Sequence, residues 1–249
     1  MEGQLQDWQL YTDIYEWQAS NWDLNELLRL ALMTSYNHDK KIQTLLKTAL
    51  LQSEQSWVIT QYNIQIVAPF FVAERVKITT QVIEANRFFV TRQFTVEMNN
   101  SITHRILAQF AVLDLSTRKM ARVPMQELHD LNLIVPISTK LSAPKPLVDS
   151  QGEITQTQII QAEDIDENHH VNNRVYLRWA FAALPEQFVA QHRLTGVQIK
   201  YGSELRAEDA VEVRTNMNQN ETYQTITNLT LTKDACYVKM SWEQIEGGN

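Results

Sequence analysis

The strongest constraint on the fold is an internal repeat, in which the same order of predicted strands and helices occurs twice along the chain. Each half is expected to begin with a short strand, continue into a helix and end in a run of strands. In the first half, helical spacing covers residues 24–51 and alternating apolar residues follow over 56–115. In the second half, a helix over 171–188 precedes the last strands. The pattern predicts an α+β fold in which each half has a helix and an antiparallel sheet.

Polar and proline-rich segments interrupt this pattern of predicted helices and strands. We expect Asn37-His38-Asp39 to split the first helical stretch into two helices. Prolines at 136, 144 and 146 favour an extended linker that cannot join a sheet interior. The predicted organisation is a first domain over 1–136, a linker over 137–149 and a second domain over 150–249.

The two halves can be aligned by eye, and they differ in chemistry. His170 falls against Leu27, and Glu204 falls against Pro69. A purely structural repeat gives no reason to concentrate ionisable residues in one half. We interpret the chain as a duplicated fold with one working site, whose first half supplies apolar surface.

A polar run from Asp164 to Tyr176 leads directly into the second helical pattern. At a helix entry the first N–H groups lack partners and the dipole's positive end points outward, so a carbonyl oxygen can be polarised there. Helix capping accounts for one or two of these polar residues but not for the whole run. His169 and His170 are adjacent and point in different directions, and no Cys/His or H-E-x-x-H spacing appears. No metal site is therefore expected.

Charge and hydropathy exclude several classes of protein. A net charge of -7 and a pI near 5.4 argue against a general nucleic-acid binder. The apolar stretch from Leu27 to Leu32 is too short to span a bilayer and contains Arg29. Cys236 is the only cysteine, so no internal disulfide can form. With no signal-peptide pattern at the N-terminus, we expect a cytoplasmic protein.

The polar run gives the chain a family resemblance. Residues 164–176 match Asp-Leu-Asp-x-Asn-x-His-Val-Asn-Asn-x-x-Tyr, with Ile165 in the Leu position, and the chain resembles the acyl-acyl carrier protein thioesterase family of bacteria and plants. A second family segment, Tyr-x-x-Glu-Cys, is met by residues 201–205, except that Leu205 replaces the Cys. A cysteine nucleophile is therefore not expected. The resemblance covers nearly all of the chain in element order and implies a tandem double hotdog, each half a long helix wrapped by an antiparallel β-sheet.

The resemblance implies hydrolysis of fatty acyl-acyl carrier protein thioesters, releasing free fatty acid and ending chain elongation, with no cofactor. Asp166 is expected to attack the carbonyl carbon or to activate water, with Asn168 holding the carboxylate or the water. His170 is the expected proton carrier, because histidine titrates nearest neutral pH. Glu204 is expected to orient His170 or to share the base role.

Further residues are predicted to bind the substrate and its carrier. Helix N–H groups, together with the Asn172 or Asn173 carboxamide, are expected to receive the oxyanion. The other predictions are an apolar tunnel for the acyl chain and a basic patch for the acidic carrier protein. They involve Leu27, Leu28, Leu32 and Phe70 for the tunnel, and Arg174, Arg178, Arg193 and Lys200 for the patch.

Alternative functions share this fold and remain open at this point. An acyl-CoA thioesterase would differ only in the carrier. A hotdog hydroxyacyl dehydratase also uses a histidine with a carboxylate, and a non-catalytic acyl-binding hotdog would need no ionisable set. A homodimer is an open alternative for the assembly.

Overall fold

The computed structural model describes residues 5–17, 23–68, 75–148 and 153–245. The chain divides into two compact units after Leu141. This division falls within the segment 137–149 that the sequence predicts to be a linker.

The first unit packs a long helix on an antiparallel sheet. The strand order in this unit is β1-β3-β4-β5-β2, with β6 paired to β5, and α1 contacts β1 and β3. Alternate residues of β3, Val76, Ile78, Thr80 and Val82, are buried, so one face of this strand forms core. The elements are β1 Tyr11–Glu16, α1 Leu24–Leu46, β2 Gln55–Ile66, β3 Arg75–Ala85, β4 Phe89–Met98, β5 Ser101–Asp114, β6 Lys119–Ala121 and α2 Met125–Asp130.

The second unit repeats this topology. Its strand order is β7-β9-β10-β11-β8, which is the order of the first unit with each strand replaced by its counterpart. The predicted duplication of an α+β fold is therefore confirmed. The elements are β7 Glu153–Gln158, a 3₁₀ turn Ala162–Asp164, α3 Asn173–Ala182, α4 Glu186–Gln191, β8 His192–Tyr201, β9 Val211–Met217, β10 Glu221–Asn228 and β11 Lys233–Gln244.

The helix of the first unit is continuous, so the predicted break at Asn37-His38-Asp39 is wrong. His38 and Asp39 face inward and are buried, where Arg92 of β4 contacts both. The Arg92 guanidinium donates to Nδ1 of His38 at 2.9 Å and forms an ion pair with Asp39. Nε2 of His38 lies 2.8 Å from the carbonyl oxygen of Trp8. Because their hydrogen-bonding groups have partners, these polar residues can remain within a buried helix face.

The helix of the second unit is shorter than predicted. The expected helix over 171–188 is interrupted, with α3 ending at Ala182 and α4 beginning at Glu186. Pro185 lies between them at the N-cap position of α4. Proline lacks an N–H donor and disfavours helical backbone at the residue before it, which accounts for the interruption.

Acid should destabilise the first unit through His38. Burial, with a further contribution from the charge of Arg92, lowers the pKa of His38 to about 3. Below pH 6.5 the unfolded chain therefore binds a proton that folded His38 excludes, and stability falls with pH. Between pH 6.5 and pH 5 this loss is about 2 kcal/mol.

Urea unfolding at pH 7 and pH 5 measures this effect. His38→Gln should be less stable than wild type at pH 7 but should lose less stability between the two pH values. His129→Gln removes an exposed imidazole of the same unit and serves as the control. Equal pH dependence in wild type and His38→Gln would contradict the assignment.

Candidate active site

Residues 164–172 form a closed loop before α3. Ile165 and Val171 form an antiparallel bridge across the loop. Inside it, the Asp166 N–H donates to the carbonyl oxygen of His170 at 2.8 Å. His169 adopts a left-handed backbone with φ of 62°, which lets the chain reverse within a few residues. The loop therefore brings Asp166 and His170 close together.

The carboxylate of Asp166 stabilises this loop by accepting backbone hydrogen bonds within it. Its Oδ1 accepts hydrogen bonds from the backbone N–H of Asn168 at 2.8 Å and of His170 at 3.1 Å. The sequence predicted that Asn168 holds this carboxylate or the attacking water. The structure makes that contact through the main chain of Asn168, while the residue as a whole is exposed.

His170 and Glu204 form a close pair. Nε2 of His170 lies 3.2 Å from Oε2 of Glu204, and the two side chains are 14% and 54% exposed. A carboxylate only accepts hydrogen bonds, so in neutral His170 it favours the tautomer with the proton on Nε2. That tautomer leaves Nδ1 with a lone pair that can take a proton.

One backbone hydrogen bond joins the Glu204 segment to the closed loop. The Val171 N–H donates to the carbonyl oxygen of Leu205 at 2.8 Å. The Leu205 side chain is fully buried, which anchors this segment in the second unit. Val171 and Leu205 are the next residues after His170 and Glu204, so their contact places the ionisable pair side by side.

Asp164 anchors the start of the loop, a role that the sequence analysis missed. Its side chain is buried and accepts hydrogen bonds from the Gln161 N–H at 3.0 Å and from Nη2 of Arg178 at 2.5 Å. Its carbonyl oxygen accepts the Asn172 N–H at 2.8 Å. The only signal in the sequence was its position at the start of the polar run, which does not reveal the partner on α3.

Asn172 caps α3. Its Oδ1 accepts hydrogen bonds from the Arg174 backbone N–H at 3.1 Å and from Arg174 Nε at 3.3 Å. Asn173 is the first residue of α3 and is exposed, and its carbonyl oxygen accepts the Tyr201 hydroxyl at 3.2 Å. The expected position of the polar cluster at a helix entry is confirmed, whereas the oxyanion site there stays a prediction.

Two family profiles match most of the chain. The Acyl-ACP thioesterase N-terminal domain matches residues 7–131, and the Acyl-ACP thioesterase C-terminal domain matches residues 149–244. The chain belongs to the acyl-ACP thioesterase family. The closed loop, the Glu204 segment and α3 all lie in the part matched by the C-terminal domain of this family.

Individual relatives are distant in sequence. A chloroplastic acyl-[acyl-carrier-protein] hydrolase of Cuphea viscosissima is 21% identical over 216 residues, which are 80% of this chain and 51% of the relative. The chain therefore spans about half the length of the curated relatives it matches.

Solved structures share the fold. The 12:0-ACP thioesterase from Umbellularia californica has a TM-score of 0.78 at 15% identity, covering 95% of this chain and 98% of its own. An acyl-ACP thioesterase from Bacteroides thetaiotaomicron has a TM-score of 0.74 at 18% identity, covering 94% and 98%. The tandem double hotdog predicted for this chain is confirmed.

The remaining predicted residues occupy varied environments. In the first unit Leu27 and Leu28 of α1 are buried and Leu32 is half-buried, while Phe70 lies outside the described residues. The predicted tunnel stays a prediction.

The predicted docking patch for the carrier protein also stays a prediction. Of the cations in this patch, Arg178 pairs with Asp164 and Arg193 pairs with Glu243 at 2.5 Å. Arg174 and Lys200 are exposed and lie close to the site in sequence.

The environment of Cys236 does not suit a cysteine nucleophile. Cys236 is fully buried on β11, and burial raises the pKa of its thiol well above its usual value, so the reactive thiolate is disfavoured.

Over residues 5–17, 23–68, 75–148 and 153–245, no cluster of three or more His, Cys, Asp or Glu residues could hold a metal ion. Each helix within these ranges is too short or too polar to span a bilayer.

Gly202→Ala should disturb the segment that carries Glu204. A Cβ atom at residue 202 would lie 2.7 Å from the carbonyl oxygen of Asp234, closer than van der Waals contact allows. We expect a loss of about 1–3 kcal/mol in the free energy of unfolding, because backbone must move to relieve the clash. Urea unfolding measures this, with Gln219→Ala in the exposed connection between β9 and β10 as the control. Equal stability of both variants would show that the segment tolerates the extra atom.

Proposed function

We propose that the chain hydrolyses the thioester of fatty acyl-acyl carrier protein, releasing free fatty acid and ending chain elongation. The observation that carries this proposal is the His170–Glu204 pair, held beside Asp166 at the entrance to α3. This arrangement supplies a proton carrier, a group that orients it and a second carboxylate. Family membership supports the acyl carrier protein as the partner that delivers the acyl chain.

Proton transfer is assigned to His170. Glu204 holds the Nε2 proton, and Nδ1 takes a proton from the attacking water as its oxygen bonds to the thioester carbonyl carbon. When the carbon–sulfur bond breaks, His170 returns that proton to the leaving sulfur. The products are a fatty acid and the free thiol of the carrier. The positive end of α3, with the exposed Asn173 carboxamide, stabilises the oxyanion that forms between these steps.

Asp166 acts on the same carbonyl carbon, either by direct attack or through water. Oδ1 of Asp166 already accepts two backbone hydrogen bonds, which reduce the nucleophilicity of the carboxylate. We therefore favour attack by water, with Oδ2 orienting it. The contact from the Asn168 N–H keeps the carboxylate in place during this step.

Docking of the acidic carrier is assigned to the exposed cations Arg174 and Lys200. Arg178 and Arg193 already have acidic partners, which lowers their capacity to attract another anion. The acyl tunnel along Leu27, Leu28, Leu32 and Phe70, the homodimer and the cytoplasmic location stay predictions.

Loss of either member of the His170–Glu204 pair should slow hydrolysis. We expect His170→Ala and Glu204→Gln each to reduce turnover by about a hundredfold, the usual scale for a general acid–base group. Release of free thiol from acyl carrier protein and CoA thioesters measures this. Cys236→Ala should retain activity, because the buried thiol takes no part in the chemistry.

The same assay separates the alternatives. Faster release from carrier thioesters than from CoA thioesters supports the proposed partner, and the reverse preference would indicate an acyl-CoA thioesterase. Wild-type rates in His170→Ala would rule out the assigned proton carrier. No release from any thioester would favour the dehydratase and the non-catalytic acyl-binding hotdog.

Two substitutions separate the structural role of Asp166 from its chemical role. In Asp166→Asn the carboxamide oxygen can still accept the two N–H groups that Oδ1 accepts, but the negative charge is lost. We expect Asp166→Asn to unfold like wild type and to turn over about a hundredfold more slowly. Asp166→Ala should lose both activity and stability. If Asp166→Asn turned over at the wild-type rate, the carboxylate would be needed only to hold the loop.

A further inference from the structure

We propose that Ser203 is a positioning residue, which holds Glu204 against His170 by hydrogen-bonding the main chain of β11. This role rests on the proposed function, in which the His170–Glu204 pair moves the proton. In this role Ser203 acts through Glu204 and takes no part in the proton transfer.

Glu204 needs such support because of where it lies. It belongs to an irregular segment after β8, and its side chain is 54% exposed. A long side chain on an unsupported loop samples many conformations, and fixing the backbone and the side chain costs conformational entropy. The 3.2 Å contact between Oε2 and His170 Nε2 therefore depends on a backbone that is already fixed.

Ser203 supplies this fixation on the N-terminal side of Glu204. Its N–H and its hydroxyl both donate to the carbonyl oxygen of Asp234, at 3.2 Å and 3.1 Å. The preceding Gly202 N–H donates to the carbonyl oxygen of Ala235 at 2.8 Å. On the C-terminal side, buried Leu205 accepts the Val171 N–H. Glu204 thus lies between two residues that are tied to different elements.

The acceptor residue is itself held firmly. Asp234 Oδ2 accepts the Tyr237 hydroxyl at 2.7 Å, and Oδ1 accepts the Thr227 hydroxyl at 2.9 Å. These contacts tie Asp234 to its own strand β11 and to the neighbouring strand β10. The carbonyl oxygen that receives Ser203 therefore has a defined position on the sheet.

Ser203→Ala should reduce kcat and leave KM unchanged. The variant removes the hydroxyl donor but keeps the N–H donor, so the segment becomes looser without being released. We expect kcat to fall by about three- to tenfold, the scale of losing one neutral hydrogen bond. Ser203→Thr retains a hydroxyl and should restore most of the rate. Ser241→Ala, near the other end of β11, is the matched control and should behave like wild type.

A double mutant tests whether Ser203 acts through Glu204. In a Glu204→Gln background, adding Ser203→Ala should cause little further loss, because the carboxylate that Ser203 positions is already gone. Full additivity of the two losses would overturn the proposal. So would a change in KM of the same size as the change in kcat.

Imidazole ¹⁵N NMR tests the positioning without relying on activity. Comparison with His170→Gln assigns the His170 signals, which should report the Nε2–H tautomer in wild type and in Ser241→Ala. Ser203→Ala should show a mixture of tautomers, because Glu204 no longer holds that proton in place. If wild type hydrolyses no thioester but Ser203→Ala still shows the mixture of tautomers, the positioning stands and the proposed function fails. If wild type is active and Ser203→Ala matches Ser241→Ala in rate and spectrum, the positioning fails and the proposed function stands.

Discussion

The arrangement of the site depends on the buried carboxylate of Asp164. A buried charge that loses its partners destabilises a protein by about 3–5 kcal/mol, so folding must bring suitable donors to this side chain. Those donors are the N–H of Gln161, which caps the 3₁₀ turn, and the guanidinium of Arg178 on α3, while the Asp164 carbonyl oxygen accepts the N–H of Asn172. The hydrogen bonds to Asp164 therefore fix the positions of the loop, the turn and the helix relative to one another. Asp166 and His170 take their positions from that framework.

The two units use the same topology for different purposes. In the first unit, Arg92, His38 and Asp39 form a buried polar cluster between a strand and a continuous helix. In the second unit, His170 and Glu204 lie in loops near the start of a shorter helix, and their side chains are 14% and 54% exposed. The strand order is the same in both units, whereas the ionisable residues lie in a buried cluster in the first unit and in partly exposed loops in the second.

Local patterns in the sequence predicted the duplication, the fold class and the polar cluster before α3. They did so because strand alternation, helical spacing and the motif over residues 164–176 are all encoded by neighbouring residues. The continuous α1 was not predictable in this way, since the partner of His38 and Asp39 lies on β4, far along the chain. The importance of Gly202 and Ser203 was also hidden, because both depend on carbonyl oxygens of β11. Sequence reasoning thus named the groups to which the proposed function assigns the chemistry, but missed the contacts that hold them in place.

The placement of Cys236 has a consequence for the conditions in which the protein can work. Its sulfur is the only one in the chain that can form a disulfide, and it is fully buried with a protonated thiol favoured. The groups around His170 contain carboxylates, an imidazole and amides, none of which changes with the thiol–disulfide balance of the surroundings. A site of this composition is insulated from oxidants that would silence an enzyme with a reactive cysteine.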